Sequence, residues 1–160
     1  MNVGETSPSG TTAVYQWGAT EEGGEAWMPE SKNTSWPAAT QLDAAHDIAT
    51  INWGEKWHTP SVKEWNFLVE KCDYERKEAN ESGYDVAGYF FYNKKDHSKF
   101  IFLPVSLWSD ELEYWTSETG EPLNGSSAAY TFHSSNGKVS CTSTADINSR
   151  GFAIRPVFVE

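Results

Sequence analysis

The chain has 160 residues, 22% of them charged, with a formal net charge of -11 and a mean hydropathy of -0.60. It therefore reads as one globular domain over residues 1–160, long enough to bury a core. With no Lys/Arg run longer than Lys94-Lys95 on an acidic chain, nucleic acid is excluded as a partner. No stretch of about 18 apolar residues offers a membrane span.

The start, MNVGETSPSG, has neither the basic nor the apolar region of a signal peptide. Residues 1–37 are rich in Gly, Pro, Ser, Thr and Glu and read as loops, with one short strand near Ala13–Trp17. In AATQLDAAHDIA, Leu42, Ala45 and Ile48 recur at three-residue steps, which predicts a helix over Ala38–Ala49 that carries His46 on its surface. The stretch NWGEKWHTPSVKEW then places Trp53, Trp57 and Trp65 within fourteen positions. Ser61 followed by Glu64 is a capping box. The apolar positions Val62, Trp65, Leu68, Val69 and Cys72 mark one buried helical face ending near Cys72.

Asp73–Ser82 reads as a polar connection, after which the pattern turns to strands. Val86–Tyr92 and Phe100–Leu103 flank a hairpin link, NKKDHSK, and Pro104 ends the second of them. Glu113–Ser117 and Ala129–His133 are short and aromatic. Asn136-Gly137 predicts a tight turn with Lys138–Thr142 as the return strand. Thr142–Arg150 reads as a polar loop and Phe152–Val159 as the closing strand. Two helices followed by successive antiparallel strands indicate an α+β fold. Its expected core includes Trp65, Leu68, Phe102, Trp115, Phe132 and Ile154.

The ordered series NVGETSP, YQWGATE, NWGEKWHTPSVKEWNFLVEKC, FIFLP, YWTS, AYTFHSSNGKV and RGFAIRPV resembles the Fibrobacter succinogenes major paralogous domain family of Bacteroidetes. Relatives of that family include formylglycine-generating-enzyme-like proteins and the variable proteins of diversity-generating retroelements. The resemblance spans nearly the whole chain. It implies a C-type-lectin-like fold, two short helices and a twisted antiparallel sheet, secreted or displayed at the cell surface, with a phage particle as the alternative setting. The family places a strand upstream of Asn-Val-Gly, so this chain resembles one that starts inside the family's domain. His58 stands where the family has Arg, and the segment between Pro104 and Tyr114 is short. The resemblance also implies that Trp53, Trp57 and Trp65 are scaffold and that ligands meet the C-terminal half.

No catalytic residue is assigned. Formylglycine-generating chemistry needs a close cysteine pair, whereas Cys72 and Cys141 stand far apart, and whether they pair is left open. His46, His58, His97 and His133 lack metal-ligand spacing. Glu121-Pro122-Leu123-Asn124 only loosely echoes the calcium motif of sugar-binding lectins and reads as a turn, so neither metal nor cofactor is expected.

The expected function is recognition of a protein or carbohydrate ligand by a surface-exposed module. The alternatives are an enzyme of the formylglycine-generating type and a purely structural adhesin module. Period-two alternation turns Tyr130, Phe132, Val139 and Cys141 inward, and Thr131, His133, Lys138, Ser140 and Thr142 outward. The expected ligand face therefore joins Trp108, His133, Lys138, Ser140 and Thr142, with Asp146 and Asn148 at its rim.

Overall fold

The computed structural model describes residues 1–7, 10, 13–23 and 40–160, with residues 142–144 described by their backbone alone. The described chain is α+β: three short helices and mainly antiparallel strands. The helices are α1 (Ile48–Trp53), α2 (Val62–Lys71) and α3 (Ala79–Ser82). Strands β2 (Cys72–Lys77), β3 (Gly88–Asn93) and β4 (Asp96–Pro104) form one sheet. A second sheet holds β5 (Glu113–Thr119), β6 (Ala128–Ser135) and β7 (Lys138–Asp146). The two-residue strand β1 (Trp57–His58) pairs with β8 (Val157–Phe158).

The helix expected at Ala38–Ala49 is not formed over residues 40–47. Backbone bonds from Leu42 to Ser117 and from Thr119 to Thr40 draw that segment along the edge of β5 instead. Asp43 accepts the amides of Ala45 and His46 in a local turn, and its carboxylate lies 2.7 Å from His46 Nδ1. The helix begins only after Asp47, whose buried carboxylate accepts the Ala49 amide and both the amide and hydroxyl of Thr59. Such short acidic side chains compete with the helical backbone and favour caps. Residues 38 and 39 lie outside the described residues.

Helix α2 forms as its sequence dictates. Ser61 caps it, its hydroxyl accepting the Glu64 amide at 3.2 Å, and the Glu64 carboxylate accepts the Ser61 amide at 2.8 Å. Trp65 is buried and stacks on Phe132 with ring centroids 4.1 Å apart. Leu68, expected in the core, is only partly buried against it, whereas Phe102, Trp115, Phe132 and Ile154 are buried as expected.

Asp73–Ser82 is not a plain connection. It carries β2 and α3. Asp73 and Glu75 are exposed while Tyr74 packs on the core, so β2 is a charged edge strand whose alternation is masked by its polarity. The segment expected as a strand at Ala13–Trp17 is reduced to one bridge between Tyr15 and Phe152. The expected closing strand is broken before Val157, after Pro156, and the polar loop expected from Thr142 begins only after Asp146, because β7 runs that far. Cys72 and Cys141 are free thiols.

The sheet of β5, β6 and β7 is buried on both faces. One core lies on the side of Trp115 and Ala129, together with Tyr15, Trp17 and Ile48. The other lies on the side of Tyr114, Phe132, Val139 and Cys141, together with Trp65 and Phe91. Indole donors on the first side are satisfied: Trp17 Nε1 donates to Thr116 O at 2.8 Å and Trp115 Nε1 to Tyr15 O at 2.6 Å.

Candidate functional site

The hairpin of β6 and β7 closes through Asn136 (φ 51°) and Gly137 (φ 73°), with Ser135 opposite Lys138. That is the two-residue turn with positive φ at both positions that Asn-Gly favours. Val139 and Cys141 are buried, and Phe132 with them, as the alternation requires; Tyr130 is partly buried. Lys138 is exposed and Ser140 half-buried, its hydroxyl 3.5 Å from His133 Nε2.

Thr131, expected to face solvent, is 4% exposed. It shares a face with Ala129, and the first core covers that face. Between Thr131 and His133 the register slips, so one residue of β6 opposes two of β7. Such a bulge inverts the strand's phase. Ala145, opposite Ala129, consequently packs on the first core, and Asp146 turns to the other face from Ser140. Asp146 also lies six residues beyond Ser140, roughly 20 Å along the strand.

The expected ligand face therefore splits. His133, Lys138 and Ser140 gather near the hairpin tip. Trp108, 47% exposed, sits in the turn between β4 and β5 at the same end of the sheet, where the Ser134 amide donates to Leu112 O. Asp146 and Asn148 belong to the opposite end, Asn148 N donating to the Asp146 carboxylate at 2.8 Å and Asn148 O accepting from Gln16. The side chain of Thr142 lies outside the described residues.

A larger concavity lies elsewhere. A cleft of about 950 Å³ opens between α2, the inner edge of β4 and the segment Arg155–Val157. Trp53, Trp57, Phe67, Leu68 and Ile101 give it an apolar wall. Trp53 and Trp57 meet edge to face at 4.9 Å, and Trp57 leans on Phe158 at 5.1 Å. Of the three expected scaffold indoles only Trp65 is buried; Trp53 and Trp57 are half-exposed.

Polar groups line the cleft beside these rings, among them His58, Ser61, Lys63, Glu64, Lys71, Ser117 and Arg155. Glu64 accepts from the Ser61 hydroxyl at 2.7 Å and lies 2.9 Å from His58 Nε2. Burial pushes the Glu64 carboxyl up, but the Ser61 amide, the Ser61 hydroxyl and His58 outweigh it and hold it below its usual range. Arg155 is different. Its Nη1 is enclosed and finds no hydrogen-bond partner, and burial lowers the guanidinium's pKa while the neighbouring Tyr114 and Tyr84 raise it. Trp65 Nε1 and Ser117 Oγ, on two more lining residues, are likewise enclosed and unpartnered. Leaving such a donor unsatisfied costs on the order of 1–3 kcal/mol, more when it is charged.

Sequence reasoning missed this site because its described walls come from six separated stretches: Met1, Gln41, Trp53–Cys72, Ile101–Leu103, Ser117 and Arg155–Val157. One signal was present: Arg155 interrupts the apolar run FAIRPVFV. The Cys141 thiol is buried, which pushes its pKa up to about 12, and it is chemically quiet. The turn at Leu123–Ser126, with Asn124 and Gly125 at positive φ, is an ordinary tight turn. Among the described residues no helix is long and apolar enough to cross a membrane. No protein-family model, no curated protein and no solved structure matches the chain.

Proposed function

We propose that this chain is a non-catalytic recognition module of C-type-lectin-like fold, carried at an extracytoplasmic surface or on a phage particle, whose ligand is a protein segment or a glycan. The observation that carries this reading is the cleft: two half-exposed indoles, Phe67, Leu68 and Ile101 around a space of about 950 Å³. Rigid aromatic walls with a few placed polar groups are the usual make-up of a ligand seat. Glu64, the carboxylate among its described lining residues, is engaged as a helix cap by Ser61 and His58 rather than held free as an acid or base. That engagement favours binding over turnover. The hairpin tip, with His133, Lys138, Ser140 and the nearby Trp108 turn, is a second contact area for a large ligand.

The test is a glycan array and a displayed-peptide library probed with the wild-type chain, Phe67→Glu and Lys138→Ala. Phe67 is 60% exposed, so its substitution leaves folding intact while placing a charge on the cleft wall. Selected ligands are expected to lose affinity for Phe67→Glu by about tenfold or more and to respond weakly to Lys138→Ala. Ligands bound equally by Phe67→Glu would move the site away from the cleft. Empty screens on both formats would favour a structural module.

A further inference from the structure

The cleft is cationic in an acidic protein. Among its described lining residues, Lys63, Lys71 and Arg155 stand against one carboxylate, that of Glu64, which Ser61 and His58 already occupy, while the chain as a whole carries a net charge of -11. Lys71 lies over the Phe67 ring, 5.7 Å from its centroid, and pairs with Glu70. Arg155 has no ion-pair or hydrogen-bond partner among the described residues, and its Nη1 is enclosed. The other enclosed, unpartnered lining atoms, Trp65 Nε1 and Ser117 Oγ, can both donate.

We propose that the cleft selects a ligand bearing a carboxylate next to an apolar body, with the carboxylate on the partly exposed guanidinium of Arg155 and the apolar body against Trp53, Trp57 and Phe67. The proposal rests on the reading of the cleft as the ligand seat and adds the chemistry of what it takes. A planar guanidinium matches a carboxylate's two oxygens and satisfies them with charge-assisted hydrogen bonds. The same carboxylate supplies the acceptor that Arg155 lacks. A neutral amide of equal shape fills the apolar wall and can offer one carbonyl acceptor, but it brings neither the charge nor the second oxygen that the guanidinium fork matches, so selectivity for the anion follows from the unpaired charge rather than from the size of the cleft.

The experiment titrates 4-phenylbutanoate and its neutral isostere 4-phenylbutanamide into the isotopically labelled chain, following backbone amides by NMR together with the Arg155 Nε–Hε resonance. The acid is expected to shift the amides of α2, Arg155 and Val157 and to bind about tenfold more tightly than the amide. In Arg155→Gln the two should bind alike. If Arg155→Gln fails to fold, the Arg155 Nε–Hε resonance of the wild type decides: at saturation the acid must shift it clearly further than the amide does. Equal affinity of acid and amide at the cleft overturns the inference and leaves the cleft as a ligand seat. Preference for the acid that survives Arg155→Gln, or comes with no greater Nε–Hε shift than the amide gives, removes Arg155 as the anchor. Shifts from neither probe at the cleft, or a concentration-dependent dimer that protects it, overturn both the inference and the seat.

Discussion

The two three-stranded sheets are similar in size and differ in what covers them. The sheet of β5, β6 and β7 has a core on each face, so neighbouring residues such as Tyr114 and Trp115 are both buried, at 1% and 0% exposure. Among the described residues, only one face of the sheet of β2, β3 and β4 joins either of the two cores. Its other face carries Phe90, Tyr92, Phe100 and Phe102 as a cluster of rings 4.9–6.0 Å apart, with Lys77 over Phe90 and Tyr92. On the first sheet alternation decides which core a residue joins. On the second it decides whether a residue is buried by the fold or shielded mainly by its neighbours. The candidate cleft lies where the one-sided sheet's edge strand, β4, meets α2 and the C-terminal segment.

The sharpest way to test that difference is to remove one ring from each sheet. Trp115→Ala should cost about 3–5 kcal/mol, the range for emptying a filled core, whereas Phe100→Ala, at a site 45% exposed, should cost under about 1 kcal/mol. Urea midpoints at constant slope measure both. Similar losses would mean that the outer face of β2, β3 and β4 is also closed.

Asp47 ties the loop before α2 to α1 with three bonds from a buried carboxylate. Asp47→Ala should cost about 2–3 kcal/mol, more than the usual N-cap because the Thr59 amide and hydroxyl lose their acceptor as well. Double substitution with Thr59→Ala should cost less than the sum of the singles.

Gly88 is where the one-sided sheet is tightest. A Cβ there would meet the Phe102 ring at 2.5 Å and Leu103 O at 2.6 Å. Gly88→Ala should therefore cost about 1–3 kcal/mol, and a smaller loss would show that the ring cluster can shift outward.

Glu64 gives a pH signature. Its folded pKa is depressed, so the unfolded chain binds the proton more readily and stability rises with pH through that interval. The contribution is fully present above the ordinary glutamate value of about 4.3 and is lost as pH falls through the lower folded value. Denaturation midpoints below pH about 5 should fall less steeply in Glu64→Gln than in the wild type. A parallel fall would place the acid-sensitive group elsewhere. The smallest effects belong to the hairpin tip: His133→Ala, Lys138→Ala and Ser140→Ala should each move stability by about 1 kcal/mol or less.

Where one strong local signal acts, the sequence alone was sufficient. Ser61 and Glu64 located α2 and buried Trp65, Asn136-Gly137 set the hairpin register near its turn, and the succession of short apolar runs after two early helices indicated α+β. Each of these depends on groups within a few residues of one another, bound by a particular geometry. Tertiary structure decided the rest. Leu42 lies along β5 and not in a helix because Ser117, 75 residues away in sequence, accepts its amide. Thr131 is buried because the first core, built partly from the first seventeen residues, covers its face, and Asp146 is turned away from Ser140 by a bulge that no alternation pattern announces. The cleft needed α2, β4 and the last residues brought together, and Arg155 reads as an ordinary surface cation until its surroundings show that it has no acceptor. Burial and hydrogen-bond satisfaction are properties of what surrounds a group, and in a chain whose contacts are largely non-local those surroundings exist only once it has folded.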